Sequence, residues 1–398
     1  MSENNHKKIL LITRPIAPPW DEASKNFAFS LAKVISNQEI YLLTNGIIPD
    51  LPENIVQKPI YTSNDFGYFQ KLRLIKHLRK MRNDFDILHY IFTPTKQNAF
   101  LIRRLLSCKQ NKCAKTIQTI ATLREDLYSD KDLKNLIFGD LVITYSEYAK
   151  NRLNFLGFDN VKRIYPGIDL KYYSPTPKNE ALATKYKLKS TDIVVTYPGE
   201  YTRLGATDDI VKMIIRLCHC EQSEAIPLEE LKPEIAAVTA LPRKDIKFIL
   251  ACRVKNSGDA KKKEEVIKKL MENDCLDRVI FTDTCSDMAK LYNLSDVIIF
   301  PVRDMKGKFD VPLVVIEAMA CEKPVILSDL PILKEFATAE NSVTIKSGDA
   351  PALMAAITDL SENKEKRQNM GKNARKFVQN HFDIKKVAEI YQQIYEKL

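Results

Sequence analysis

Glycine is scarce, 11 residues in 398, and the glycine-rich phosphate loops are missing with it. Neither the P-loop spelling nor G-x-G-x-x-G occurs. No apolar run reaches the roughly 18 residues that a membrane-spanning helix needs. The opening MSENNHKKILLITRP has too short an apolar stretch for a signal peptide, so a cytoplasmic protein is expected. Histidine is limited to 5 residues, and no Ser-His-Asp grouping is spelled. The 8 cysteines fit a reducing compartment, where they pack as small hydrophobes. Cys218-His219-Cys220 and the Cys108/Cys113 pair do not supply four ligands at finger spacing, so no metal is expected.

The length fits two domains, and 45% hydrophobic with 28% charged residues is the balance of a soluble globular protein. The net charge of +10 points to an anionic partner. A nucleic acid, an anionic membrane face or a nucleotide would each satisfy it.

Short β-branched runs alternate with helical stretches. Strands are expected at Lys8–Thr13, Glu39–Thr44, Phe85–Ile91, Lys115–Ala121, Leu141–Ser146 and Val161–Tyr165. In the second half they are expected at Asp192–Tyr197, Ile246–Cys252, Arg278–Asp283, Val297–Val302, Pro324–Ser328 and Ser342–Lys346. Near-continuous apolar strands separated by helices indicate parallel sheets covered on both faces. The expected fold is α/β, with two Rossmann-like domains facing across a cleft. The first domain covers 1–173, the second 185–382, and the Pro-rich Ser174–Thr184 links them. A terminal helix over 383–398 has an apolar stripe that can pack back on the first domain. Cys218–Pro242 reads as a surface insert without a catalytic role.

In open parallel sheets, ligands bind beyond the carboxyl ends of the strands. The informative stretch there is Val302–Glu335. It reads as strand, polar loop, then a helix opening at Pro312 and Leu313 with Glu317 in its second turn. Proline suits a first helical turn, and the free amides of a helix start suit a phosphate or sugar hydroxyl. A carboxylate in so apolar a helix demands a partner, and ribose hydroxyls are one.

FDVPLVVIEAMACEKPVILSDLPILKEF resembles the donor-site motif of family 4 glycosyltransferases of the GT-B fold (glycosyl transferases group 1), which carry a Glu-x7-Glu pair, Ala-Met-Ala and a Pro-Val-Ile strand. TYPGEYTRLGATDDIVKMI, RVIFTDTCSDMAKLYNLSDVIIFPV and a Pro-Gly-x-Asp signature at Pro166-Gly167-Ile168-Asp169 are similar to further blocks of that family in its order. Three departures stand out. Phe309 replaces the first Glu of the pair, with Asp310 and Lys308 beside it. Glu200 stands where the family has its diphosphate Arg, while Arg203 lies near the Lys position. Pro15–Glu22 (PIAPPWDE) replaces an early Gly-Gly.

The resemblance implies a retaining glycosyltransferase using a nucleotide-sugar donor, a substrate rather than a cofactor, without metal. Glu317, Asp310 and Arg203 would be catalytic. Gly199, Arg203, Arg253, Lys255, Pro312, Leu313 and Glu317 would bind the donor. The cations would stabilise charge on the departing diphosphate. Trp20 and His89 fall on the acceptor side, where His89 could equally make a structural hydrogen bond. The acceptor would be a glycan or a lipid-linked glycan in cell-envelope synthesis.

Lys71–Arg82 is a basic amphipathic run, and its Lys71, Arg73, Lys76, Arg79, Lys80 and Arg82 are expected to face an anionic membrane. The alternative is that its apolar stripe, Leu74, Leu78 and Met81, packs on the core. The run has no interleaved aromatics, so nucleic acid is not an expected partner. A rival overall reading is a catalytically impaired nucleotide-binding scaffold, which the missing first Glu favours.

Overall fold

Both halves of the chain fold as parallel sheets because their strand sequences bury both faces. In the first sheet Ile9, Leu10 and Leu11, three consecutive residues that point alternately to opposite faces, are all inaccessible to solvent. The computed structural model describes residues 6–18, 23–49, 51–106, 114–222, 246–282, 285, 287–308 and 310–398. Among them the chain divides into two units. Unit 1 comprises Met1–Asp169, Gly307–Val311 and His381–Leu398, and unit 2 comprises Leu170–Lys306 and Pro312–Asn380.

Unit 1 contains β1 (Lys8–Ile16), β2 (Glu39–Thr44), β3 (Ile55–Lys58), β4 (Ile87–Ile91), β5 (Lys115–Ile120), β6 (Leu141–Thr144) and β7 (Val161–Arg163). Their order is β3-β2-β1-β4-β5-β6-β7, all parallel. The extra strand, β3, buries only its first residue, so its sequence IVQK carries no apolar run that distinguishes it from a loop. Unit 2 contains β8 (Ile193–Gly199), β9 (Ile246–Cys252), β10 (Val279–Thr282), β11 (Val297–Phe300), β12 (Val325–Ser328) and β13 (Ser342–Ile345), in the order β10-β9-β8-β11-β12-β13. Strand order reverses at β1/β4 in unit 1 and at β8/β11 in unit 2. Such reversals open a crevice at the carboxyl ends of the strands.

Two expected boundaries shift. The stretch read as a linker contains a helix, Glu180–Lys185, capped by Asn179, because a side-chain cap outweighs the flanking prolines. Cys218–Gln222, the start of the expected insert, is the end of helix Ala206–Gln222; the remainder, from 223 to 242, lies outside the described residues.

The terminal helix Ile384–Lys397 lies in unit 1 and is capped by Asp383. The chain enters it through Ile168, which pairs with Asp383. Gly167 is required there, since a Cβ would stand 2.7 Å from Ile384. Tyr391 and Tyr395 of this helix are fully buried and pack on His89 of β4.

This corrects the placement of His89 on the acceptor side. The residue is wholly buried, with Nδ1 2.7 Å from the Tyr395 hydroxyl and Nε2 2.7 Å from Thr119 Oγ1. It stands in the middle of β4 rather than at its carboxyl end, and the terminal helix covers it. Burial pushes its pKa down to about 3, against about 6.5 unfolded. The folded state therefore binds fewer protons in that window, and stability present above pH 6.5 is lost as pH falls toward 3. Denaturant titrations should show a loss of about 2 kcal/mol between pH 6.5 and 5 from this group. His89→Gln should flatten that slope, and an unchanged slope would remove His89 as its source.

Candidate donor site

The carboxyl edge of the unit 2 sheet gathers side chains from three loops. After β8 come Glu200 and Arg203; after β9 come Arg253 and Lys255; after β11 comes Arg303, then the helix Leu313–Ala320 with Glu317. Reversal at β8/β11 leaves this edge open, and each loop has a distinct local reason for its shape.

The β8 loop turns tightly over its own strand. A Cβ on Gly199 would sit 2.0 Å from the Tyr197 ring, a contact no larger residue can make. Gly199→Ala should therefore lower stability by about 1–3 kcal/mol, the usual cost of overpacking, with a lower denaturation midpoint. A midpoint equal to the wild type would show that the ring has room to move. Gly205 holds φ +71° and lies against Arg303, where only glycine meets both demands. Arg303 in turn makes a two-pronged bond to the buried Asp209, Nε at 2.9 Å and Nη2 at 2.7 Å.

Asp259, a buried residue that sequence reasoning passed over, joins the two cation-bearing loops. It accepts from Thr202 Oγ1 at 2.7 Å and from the Lys255 backbone N–H at 3.1 Å. Its signal was an Asn-x-x-Asp spacing at Asn256 and Asp259, which reads as an ordinary helix start. The cations differ in their engagements. Lys255 Nζ is bound to Glu200, whereas Arg253, half-buried, has no carboxylate partner among the described residues. Arg203 is exposed in the turn before helix Ala206–Gln222. Lys255 was expected to bind donor; in this structure its charge is already met.

Helix Leu313–Ala320 starts without a side-chain cap, because Pro312 occupies the capping position. Other helices of the chain use Ser129, Ser146, Asn179, Asn256, Asp287, Asp349 or Asp383 to accept from their first amides. The amides of Leu313 and Val314 thus keep their positive end for an outside acceptor. Glu317 lies one turn further on. It accepts from the Tyr292 hydroxyl at 2.9 Å and from Tyr173. Burial raises its pKa, and the two phenols oppose that rise. Tyr173 and Tyr292 are further residues that sequence reasoning missed, since neither stands near Glu317 in the chain.

Asp310 belongs to unit 1. It is buried in unit 1, where it accepts from Ser146 Oγ at 2.6 Å and its N–H donates to Ala121 at 3.0 Å. Ser146, which donates to this carboxylate, is also the cap of helix Glu147–Phe155. Trp20 lies outside the described residues.

In unit 1 the basic run forms helix Tyr68–Met81, with Leu74 and Leu78 buried in the core. The apolar stripe is therefore spent on packing. Three of the six expected membrane-facing cations are also engaged: Lys71 lies over the Phe66 ring, Arg73 donates to the Ile60 carbonyl, and Arg82 is half-buried near Tyr90. Lys76, Arg79 and Lys80 remain exposed. A second apolar set faces outward instead, with Tyr68 70%, Phe69 81% and Leu72 46% exposed. Among the described residues no helix is long and apolar enough to cross a membrane.

Residues 231–377 match the family model described as glycosyl transferases group 1. An uncharacterized glycosyltransferase of Methanocaldococcus jannaschii is 22% identical over 320 residues, covering 78% of this chain and 72% of that protein. Among solved structures, HepE of Anabaena in complex with UDP and glucose superposes with a TM-score of 0.73 at 16% identity, covering 99% of this chain and 100% of that one. Sucrose-phosphate synthase of Thermosynechococcus elongatus gives a TM-score of 0.73 at 17% identity, with 98% and 99% covered. The two parallel sheets are those of the GT-B fold.

Proposed function

We propose that this chain, which has the GT-B fold and matches the glycosyl transferases group 1 model at residues 231–377, moves a sugar, with retention, from a nucleotide-sugar donor held at the carboxyl edge of unit 2. The observation that carries this reading is Glu317, fixed by two tyrosine hydroxyls one turn inside a helix whose first amides have no side-chain cap. The carboxylate accepts from ribose hydroxyls, and the amides of Leu313 and Val314 donate to the sugar or phosphate. Arg253 and Arg203 take up charge as the diphosphate departs. HepE holds UDP and glucose, which supports a nucleotide-sugar donor here.

Cationic side chains do the neutralising, so transfer is metal-independent. The acceptor is a glycan or lipid-linked glycan of the cell envelope, met at an anionic membrane surface by helix Tyr68–Met81. Its exposed Tyr68, Phe69 and Leu72 enter the interface beside Lys76, Arg79 and Lys80. Each basic residue contributes about 1 kcal/mol near anionic lipid. Replacing all three by Gln should therefore weaken binding to phosphatidylglycerol vesicles by about a hundredfold. Equal sedimentation of variant and wild type with vesicles would remove the membrane role.

Incubation with UDP-, GDP- and ADP-sugars tests the main reading. Nucleotide release in the presence of EDTA, with the donor's anomeric configuration kept in the product by NMR, is the expected result. Inverted configuration would overturn retention, and silence across the panel would overturn the donor assignment. The impaired-scaffold reading would show as nucleotide binding without turnover.

A further inference from the structure

The carboxyl edge of unit 2 carries a carboxylate where a diphosphate site gains nothing from one. Glu200 is the first residue beyond β8 and only 7% exposed, and Lys255 Nζ closes on its Oε1. The partners are unequal. The Glu200 side chain is 9% accessible, that of Lys255 41%. A long, half-open lysine on a fixed, buried carboxylate can leave that carboxylate without moving any backbone.

Neither loop depends on the ion pair for its position. The Glu200 carbonyl accepts from Thr207 Oγ1 at 3.2 Å and from the Tyr197 hydroxyl at 3.4 Å. The Lys255 N–H donates to Asp259, and the same aspartate holds Thr202 of the β8 loop. Removing the charge of Glu200 therefore leaves Lys255 anchored at the same edge, one loop turn from Arg253.

Resting on the donor reading above, we propose that Glu200 is a positioning residue that competes with the donor diphosphate for Lys255. In the free enzyme Lys255 sits on Glu200. With a nucleoside diphosphate bound, its ammonium turns to the phosphate oxygens, and Glu200 is left buried with that partner lost. Leaving a buried carboxylate short of its cation is unfavourable, so Glu200 draws Lys255 back and weakens the hold on the diphosphate. Product nucleotide leaves faster for it, a step that limits turnover in many transferring enzymes.

Calorimetric titration of UDP, GDP and ADP into wild type, Glu200→Gln, Lys255→Met and the double variant tests this. For whichever diphosphate binds the wild type, Glu200→Gln should tighten binding about tenfold and Lys255→Met weaken it about tenfold, each the size of one charge-assisted hydrogen bond. In the double variant the gain from Glu200→Gln should vanish. In turnover, Glu200→Gln should lower KM and kcat together. A Glu that merely braces the loop would instead give weaker binding and a raised KM. Unchanged or weaker binding by a Glu200→Gln protein of native melting temperature overturns the proposal, as does the same gain in the Lys255→Met background. Should Glu200→Gln not fold, Glu200→Asp, which draws the carboxylate back by one methylene, should tighten binding in the same direction; no tightening overturns it equally. A wild type that binds none of the three nucleotides sinks the donor reading itself, whereas binding that Glu200→Gln leaves unmoved sinks this inference alone.

Discussion

Glu317→Gln should cut kcat/KM for sugar transfer by about 10²–10³ while the fold survives. An amide keeps the size of the carboxylate and can still accept from one of Tyr173 and Tyr292. It loses the charge that makes each ribose hydrogen bond a strong one, worth about 1.5–3 kcal/mol. Its NH2 also meets a phenol or ribose hydroxyl as a second donor. The loss should appear in KM for the donor as well as in kcat, because the ribose is held in ground and transition states alike. Steady-state kinetics with the donor found in the panel would decide it. Wild-type constants in a folded Glu317→Gln protein would show that this carboxylate serves only the two tyrosines that donate to it.

The second large effect is expected at Arg253. It stands just past β9, half-buried, without a carboxylate partner among the described residues, so its charge is fully available when the sugar–phosphate bond breaks. Arg253→Met should lower kcat by about 10²–10³, the effect of losing one preorganised donor to developing negative charge. Because the charge grows as the bond opens, kcat should fall further than donor affinity. Lys255→Met should cost less, since the charge of Lys255 is shared with Glu200. If the two variants lose the same factor, the ranking by engagement fails; if Arg253→Met is unimpaired, the leaving group is stabilised elsewhere.

Much of this architecture is legible in the chain. The runs KILLIT, IKFILAC and VIIF are too apolar to lie with one face in water, so parallel sheets with helices on both sides follow from composition and spacing. The Pro-Leu-Val-Val-Ile-Glu order likewise puts a carboxylate one turn inside a helix start. The strand IVQK was not legible, being half-exposed, and neither was the helix at Glu180–Lys185, whose cap lies among prolines.

Which residues share a site is a matter of three-dimensional neighbours, and there the chain order misleads. Asp310 and Glu317 are seven positions apart in sequence, yet each finds its hydrogen-bond partner elsewhere in the chain, Asp310 at Ser146 and Glu317 at Tyr292. His89 reads in the sequence as the end of a strand, but it stands in the middle of β4, where the last helix of the chain covers it. The basic helix has the amphipathic pattern of a membrane binder, and its stripe is consumed by the core.

Local pattern by itself determined the class of fold, the two sheets and the place of the uncapped helix, because periodicity and capping act over a few residues. Tertiary structure alone decided which charges are free: Arg303 is spent on Asp209, Lys255 on Glu200 and Asp310 on Ser146. Ion pairing and burial are set by residues from distant parts of the chain, and no short-range pattern encodes them.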